Sequence, residues 1–243
     1  MRQPAAVSLI PRYDFHIHSR RSYDCVMRPR GIVRAARGRG LSGIAVTDHG
    51  TIGGGADVRE IAPADLLVIV GAEIYTAAGD IVCLFLTDEI RGHDPLDVIA
   101  QTHAQGGVAF LPHPLRSHPR PIPAGVLEAC DAFEALNSRA GWFAPQLHAP
   151  DGVNWAPLVT KPGLGSSDAH FYSEIGRAYT SIPGPVTEQN LRSALVHGPT
   201  TPGGHQGPSR NFYLSQLVRM VKTRDPHMAL RFTQRVWRRL RHT

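Results

Sequence analysis

Residues 13–18 alternate, with Phe15 and Ile17 set between polar residues, and this period-2 pattern predicts a first β-strand. Pro29 stands where a helix can begin, and residues 32–39 run on to Gly40, a residue suited to a helix C-terminus. Short apolar runs then recur at residues 43–47, 66–70, 80–86, 108–111 and 130–136, each predicted as a buried strand. Residues 94–105 predict a helix closed by Gly106 and Gly107, and residues 187–197 predict another ending at Gly198. Residues 150–162 read as loop, and Gly163-Leu164-Gly165 as the lead into residues 166–170. Gly53-Gly54-Gly55 reads as a flexible turn, and without a following Lys-Ser or Lys-Thr it is not a phosphate loop. The recurring order of strand, loop and helix implies an α/β domain with a mostly parallel sheet. Residues 199–208, rich in Gly and Pro, read as a linker. Beyond it, Leu214, Leu217, Val218 and Val221, and later Leu230, Thr233, Trp237 and Leu240, recur at helical spacing.

The polar residues that break this pattern gather at strand ends. His16 and His18 close the first strand, and Asp24 comes six residues later. Asp48 and His49 end the second and Glu73 stands after the third. His113 stands after residues 108–111, and Asp168 and His170 lie in Ser-Ser-Asp-Ala-His. Imidazoles and carboxylates are the groups that Zn, Mn and Fe accept. In a parallel barrel the loops after the strands share one face, so residues far apart in sequence converge. His16, His18, Asp24, His49, Glu73, His113, Asp168 and His170 are more ligands than one ion uses, and they predict a multinuclear site. Asp48, beside His49, is expected to orient a ring rather than to bind metal. His103, in a predicted helix, reads as a satisfied core residue. His93, His118, His148, His197, His205, His227 and His242 read as surface or loop residues.

At 243 residues, with 42% hydrophobic and 19% charged, the chain fits one large domain. The net charge of +6 is local. Residues 219–243 carry eight basic side chains against one acid, Asp225, which leaves 18 basic and 19 acidic residues elsewhere. The division expected is an N-terminal extension (1–12), a catalytic domain (13–198), a linker (199–210) and a basic helical tail (211–243). The near-neutral domain suits a small anionic substrate. The tail suits electrostatic contact with a nucleic-acid backbone or an anionic membrane surface. Aromatics are sparse there (Phe212, Tyr213, Phe232, Trp237), which argues against base-specific binding. No apolar run predicts a membrane-spanning helix, and the first twelve residues do not predict a signal peptide. Three cysteines without paired spacing predict reduced thiols and a cytoplasmic protein.

Six of these pieces occur in an order that resembles the PHP (polymerase and histidinol phosphatase) phosphoesterases. They are His-Ile-His with Asp24, Thr-Asp-His-Gly, Gly-Ala-Glu-Ile, His-Ala-Gln-Gly-Gly-Val, Pro-His-Pro, and Gly-Ser-Ser-Asp-Ala-His with Ile175-Gly176. The resemblance spans roughly residues 13–198. It implies a distorted (β/α)7 barrel with up to three Zn, Mn or Fe ions. It also implies a first ion on His16, His18, Glu73 and Asp168, a second bridged by Glu73 and held by His113, and a third on Asp24, His49 and His170. Many members carry a further histidine shortly after the bridging glutamate. Residues 76–83 here contain none, and Asp80 or Cys83 is the available substitute.

Adjacent cations can convert a bridging water to hydroxide and clamp the attacking and leaving oxygens of a phosphate ester. The sequence therefore predicts hydrolysis of a phosphomonoester or of a short nucleotide or oligonucleotide diester. Phosphate recognition needs further cations, for which Arg116 and Arg177 are preferred over Arg20 and Arg21, because guanidinium can fork two phosphate oxygens. The rival reading is a non-catalytic metal-binding module acting through its basic tail. An amidohydrolase barrel also begins with His-x-His but fits the early Asp24 and His49 and the late Asp-Ala-His poorly.

Overall fold

The computed structural model describes residues 10–114, 116, 122–143 and 154–224. Its first half runs β1 (Arg12–Ile17), α1 (Pro29–Gly38), β2 (Gly43–His49), α2 (Gly53–Ile61), β3 (Leu67–Thr76), β4 (Gly79–Leu84), α3 (Pro95–Ala104) and β5 (Val108–Leu111). Next come α4 (Ala124–Ala129), β6 (Ala132–Asn137), β7 (Gly141–Trp142), a 3-10 turn (Ala156–Leu158) and β8 (Gly163–Ser166). The last elements are β9 (Ala178–Ser181), α5 (Glu188–His197), β10 (Thr201–Gly204) and α6 (Arg210–Thr223).

The strands pair in the order β10-β9-β1-β2-β3-β4-β5-β6-β7, with β8 on β6. Parallel pairing joins β1–β2, β2–β3, β5–β6 and β6–β8. Beyond β8, Ala169 bridges Ile17, through His18 N–H to the Ala169 carbonyl (2.9 Å) and Ala169 N–H to the His16 carbonyl (3.3 Å). That bridge brings the sheet back to β1 and makes a distorted seven-strand barrel of β1–β6 and β8. The expectation of a mostly parallel sheet is corrected, since β4 is antiparallel to both neighbours and β9, β10 and β7 add antiparallel edges. The reason is loop length. Only two residues separate Thr76 from Gly79, enough for a hairpin and far too few for a parallel crossover.

The barrel interior is apolar at one end, where Phe15, Ala45, Ile69, Val82, Phe110, Ala132 and Leu164 supply one side chain from each of the seven strands. Leu191 and Leu195 of α5 pack into the same cluster. Cutting a fully buried Phe110 back to alanine there costs about 3–5 kcal/mol. Two further clusters bury α1 and α2 against β2 and β3, and α3 and α4 against β4–β6. The carboxyl ends of the codirectional strands open on the opposite side of the interior cluster and carry the polar residues.

Several local expectations change. The Gly53-Gly54-Gly55 turn is the start of α2, because close helix–strand approach overrides poor propensity. A Cβ on Gly54 would overlap the Asp48 carboxylate and the Ser19 hydroxyl. The expected linker contains β10, paired with β9 from Thr201↔Ser181 to Gly204↔Ala178. Gly163-Leu164-Gly165 is a strand in its own right. His103 is not core: it lies at the exposed end of α3, with Nε2 2.9 Å from Asp131. Among the described residues no helix is long and apolar enough to cross a membrane. The tail is described only to Arg224, as α6; Leu230, Phe232, Thr233, Trp237, Leu240 and residues 1–9 lie outside the described residues. So do His118, His148, His227 and His242.

Candidate metal centre

β1 and β2 change register between Asp14 and Ile17, the mark of a β-bulge. One extra residue in a strand re-aims the side chains beyond it. Phe15 therefore sits in the interior apolar cluster while its neighbour His16 joins the polar one. Asp14, missed in the sequence, fixes this corner: its carboxylate accepts from Ser167 N–H (2.9 Å) and Gly176 N–H (2.8 Å), tying the Ser-Ser-Asp-Ala-His segment to β1.

All eight predicted residues converge. His16 Nε2 and His18 Nε2 face each other at 3.2 Å. Glu73 Oε2 lies 3.5 Å from His16 Nε2, 3.4 Å from His18 Nε2 and 2.9 Å from His49 Nδ1. Asp168 Oδ1 lies 3.4 Å from His18 Nε2 and 3.8 Å from His16 Nε2. Glu73 Oε1 meets His113 Nε2 at 2.9 Å. Asp24 Oδ2 lies 3.0 Å from His170 Nε2 and 3.4 Å from His49 Nε2. Three groups each have donor atoms within 4.8 Å of one another: His16, His18 and Asp168; His18, His49 and His170, which shares His18 with the first; and Glu73, Asp80 and His113. His113 (φ 32°) and Asp168 (φ 54°) hold left-handed backbone that non-glycine residues rarely adopt, at about 1–3 kcal/mol each.

The hydrogen-bond network sets which ring nitrogen faces the cluster. His16 Nδ1 donates to Glu134 Oε1 (2.9 Å) and His170 Nδ1 to the Asp168 carbonyl (2.9 Å). His18 Nδ1 donates to Ser22 Oγ (3.1 Å), and the Ser22 hydroxyl donates in turn to Asp48. In each ring it is therefore Nε2 that faces the cluster. Asp48 thus touches no ring. Its oxygens are taken by Ser19 and Ser22, and it acts on His18 through Ser22.

Buried charge has no water to spread into, so opposing neighbours and burial together set how these groups titrate. Burial works against protonated His16, yet Glu73, Asp168 and Glu134 outweigh it and raise its pKa well above the ordinary value. Burial alike opposes ionised Glu73 and Asp168, which are nonetheless held well below the carboxylate range by His16 and its neighbours. His18 falls to about 3 through burial and the repulsion of His170 and His49. His49 rises to about 10, as Glu73 and Asp24 overcome burial. Glu73 Oε2, Asp24 Oδ1 and His113 Nδ1 are buried without hydrogen-bond partners. Such a donor set calls for positive charge at its centre, and divalent cations fit it.

The departure at residues 76–83 resolves toward Asp80, whose Oδ2 lies 3.8 Å from His113 Nε2. Burial and then the charge of Glu73 raise its pKa. Cys83 is buried in the apolar layer around α3 and α4 instead. Arg116 is at the site, with Nη2 2.7 Å from Asp168 Oδ2 and Nη1 3.1 Å from His113 Nε2. Arg177 is a correction: its Nε donates to the Ser173 carbonyl (3.0 Å), and it does not line the cavity beside the cluster. Adjacency to Gly176 in sequence did not bring its side chain inward. The guanidiniums found at that cavity, of about 840 Å³, are Arg116, Arg139 and Arg219. A cleft of about 860 Å³ elsewhere, beside residues 62–68, holds no histidine, and its Arg37 is paired with Asp65 at 2.8 Å.

Sequence reasoning missed Glu134 and Asn137 on β6. Glu134 Oε2 accepts from His113 N–H (2.6 Å) and Asn137 Nδ2 (2.7 Å). A lone carboxylate inside the apolar run 130–136 was the available signal, since a buried charge needs partners.

Comparisons with known proteins agree with this geometry. A "PHP domain" model matches residues 14–118, and a "PHP-associated" model matches residues 153–200. Uncharacterized protein MJ1587 of Methanocaldococcus jannaschii is 36% identical over 113 residues, 42% of this chain and 66% of that protein. Uncharacterized protein MJ0417 of the same organism is 29% identical over 177 residues, 69% of each chain. The matches thus span about two thirds of these relatives. Two solved structures share the fold. One is a two-domain protein from Bacteroides vulgatus containing a predicted PHP-like metal-dependent phosphoesterase, with TM-score 0.64, 22% identity, and coverage of 85% of this chain and 69% of that one. The other is PsfC from Pseudomonas syringae, with TM-score 0.61, 18% identity, and coverage of 87% and 98%.

Proposed function

Because the chain belongs to the PHP family, whose two models together match more than half of its residues, we propose that it is a metal-dependent hydrolase of phosphate esters. Its substrate is a phosphomonoester or a short nucleotide-type diester, and its cofactors are two to three divalent ions, Zn, Mn or Fe. One observation carries this reading: the Nε2 atoms of His16 and His18 face each other at 3.2 Å with both Nδ1 protons already committed. Two ring nitrogens aimed at one point need a positive charge between them, and a divalent cation within reach of the adjoining carboxylates supplies it.

His16, His18, Glu73 and Asp168 would hold one ion, Glu73, His113 and Asp80 a second, and Asp24, His49 and His170 a third. When bound, the ions would neutralise phosphate charge and polarise the phosphorus toward attack. The chain's own residues supply position. Glu134 and the Asp48–Ser22 pair keep His16 and His18 in the ligating tautomer. Arg116 spends one donor on Asp168, lies beside His113 and keeps others for phosphate oxygens. Asp80 would supply an oxygen where many family members supply a histidine nitrogen, and its grouping with Glu73 and His113 favours an enzyme over a non-catalytic module.

The test is phosphate or nucleotide release by Mn²⁺-loaded protein on histidinol phosphate, sugar phosphates, a nucleoside 3′,5′-bisphosphate and a short 5′-phosphorylated RNA. Turnover that His16→Ala abolishes is the expected result. Bound metal without turnover of any substrate would sink the enzymatic reading.

A further inference from the structure

α6 lies outside both family matches, which end at residue 200. Phe212, Ser215, Gln216 and Arg219 line the cavity beside the ligand cluster. Their spacing of three, four and seven residues puts them on one face of the helix. An ordinary amphipathic helix turns an apolar stripe of this kind into the core. Here the stripe holds one aromatic, two neutral polar groups and a guanidinium, and it faces a cavity.

The helix is held there at both ends. Lys222 Nζ donates to the carbonyls of Arg20 (2.8 Å), Ser22 (2.5 Å) and Cys25 (2.9 Å), the turn that carries Asp24. Arg139 Nη2 donates to Ser215 Oγ (2.6 Å) and the Asn211 carbonyl (3.3 Å). Arg219 lies over the Tyr23 ring at 4.6 Å, and Tyr23 stacks on His49 at 4.5 Å and 9°. Arg219 can therefore be no farther from His49 than those two spacings together. Among the described residues Arg219 meets the Tyr23 ring rather than a carboxylate, and its Nε is buried without a hydrogen-bond partner. Arg139 Nε is in the same condition. A buried unsatisfied donor costs about 1–3 kcal/mol, and two of them beside one cavity call for an anionic acceptor.

We propose that Arg219 binds a second anionic group of the substrate, away from the scissile phosphate, and that α6 thereby selects phosphate esters bearing two anions. Arg139 is a positioning residue that fixes the helix. This inference rests on the phosphoesterase reading. It also gives α6 a role different from the polymer contact expected of residues 211–243.

The experiment measures binding, so it does not depend on turnover. Calorimetric titration of the full-length Mn²⁺-loaded protein would use α,ω-alkane bisphosphonates of increasing length, matched alkyl monophosphonates, and ω-carboxyalkyl phosphonates. Wild type is expected to prefer one length of two-anion ligand over its monophosphonate by at least tenfold. The bisphosphonate and carboxyalkyl arms show whether the second anion is phosphate or carboxylate. Arg219→Ala should abolish the preference, and Arg219→Lys should restore part of it, with unchanged melting curves showing that both variants fold. A wild type without preference at any length, or a preference that survives in Arg219→Ala, overturns the proposal. Hydrolysis of p-nitrophenyl phosphate by the same wild-type preparation is read in parallel. No turnover of it or of any member of the substrate panel above would sink the phosphoesterase reading while leaving the binding result to judge Arg219.

Discussion

Replacing Glu134 with glutamine exchanges one carboxylate oxygen for an amide and leaves one acceptor where three donors converge. Glu134 Oε1 accepts from His16 Nδ1 (2.9 Å), and Oε2 accepts from His113 N–H (2.6 Å) and Asn137 Nδ2 (2.7 Å). If the glutamine oxygen serves His113 and Asn137, its amide faces His16 Nδ1. The ring must then carry its proton on Nε2, aimed at His18 Nε2 only 3.2 Å away. If the oxygen serves His16 instead, two donors face an NH₂ group. In the first case the neutral ring, its single proton on Nε2, presents no lone pair to the metal. In the second, hydrogen bonds to a charged acceptor are lost at about 1.5–3 kcal/mol each. Loss of such an orienting partner weakens metal binding about 10–100-fold, which is about 1.4–2.8 kcal/mol. Metal-free stability is the poorer readout, because removing one charge also relieves repulsion among Glu73, Glu134 and Asp168. The Mn²⁺ dissociation constant, measured by competition with a chelating dye, is expected to rise by that factor. A value within about twofold of wild type, well short of the tenfold expected, would refute the claim that Glu134 sets the His16 tautomer.

Gly54→Ala places a methyl group against the Asp48 carboxylate and the Ser19 hydroxyl; we expect weaker metal binding and a lower melting temperature, and an unchanged melt would contradict the packing described. Asp80→Ala should lower the Mn²⁺ bound per chain, read by elemental analysis, and Asp80→His should restore it; equal metal content in Asp80→Ala and wild type would remove Asp80 from the site. Cys25, Cys83 and Cys130 are fully buried, and burial pushes each thiol up to about 12. Because the thiolate is the reactive form, Ellman's reagent at about pH 8 should label none of them until guanidinium unfolds the chain. Truncation after Arg224 removes five arginines and spares α6. It should weaken binding to long RNA and flatten its salt dependence, while hydrolysis of a small ester persists. Equal RNA affinity before and after truncation would end the polymer-contact reading of the tail.

The elements legible in the sequence were those whose apolar runs are long enough to have one reading, together with the polar residues that end them. Residues 108–111 became β5 without a change of boundary, and the helix read at 187–197 became α5. The eight ligand candidates met because codirectional strands deliver their ends to one side, a property of topology that strand order alone implies. The errors come from effects that local pattern does not contain. Three successive glycines argue against a helix, yet α2 starts on them because Gly54 must clear Asp48 and Ser19. Thr-Pro-Gly-Gly argues against a strand, yet β10 pairs with β9 at a sheet edge, where an absent proline N–H costs no ladder bond. Sequence adjacency likewise misled in both directions. Asp48 stands beside His49 in the chain but acts on His18, through the Ser22 hydroxyl. Arg177 directly follows Ile175-Gly176 but spends its Nε on a backbone carbonyl. Of the charges overlooked, Glu134 stands alone in a stretch explained as strand, Arg139 lies just past it, and Arg219 stands in a stretch explained as a basic tail. A charge is informative where burial forces it to find a partner, and burial is what the linear pattern withholds.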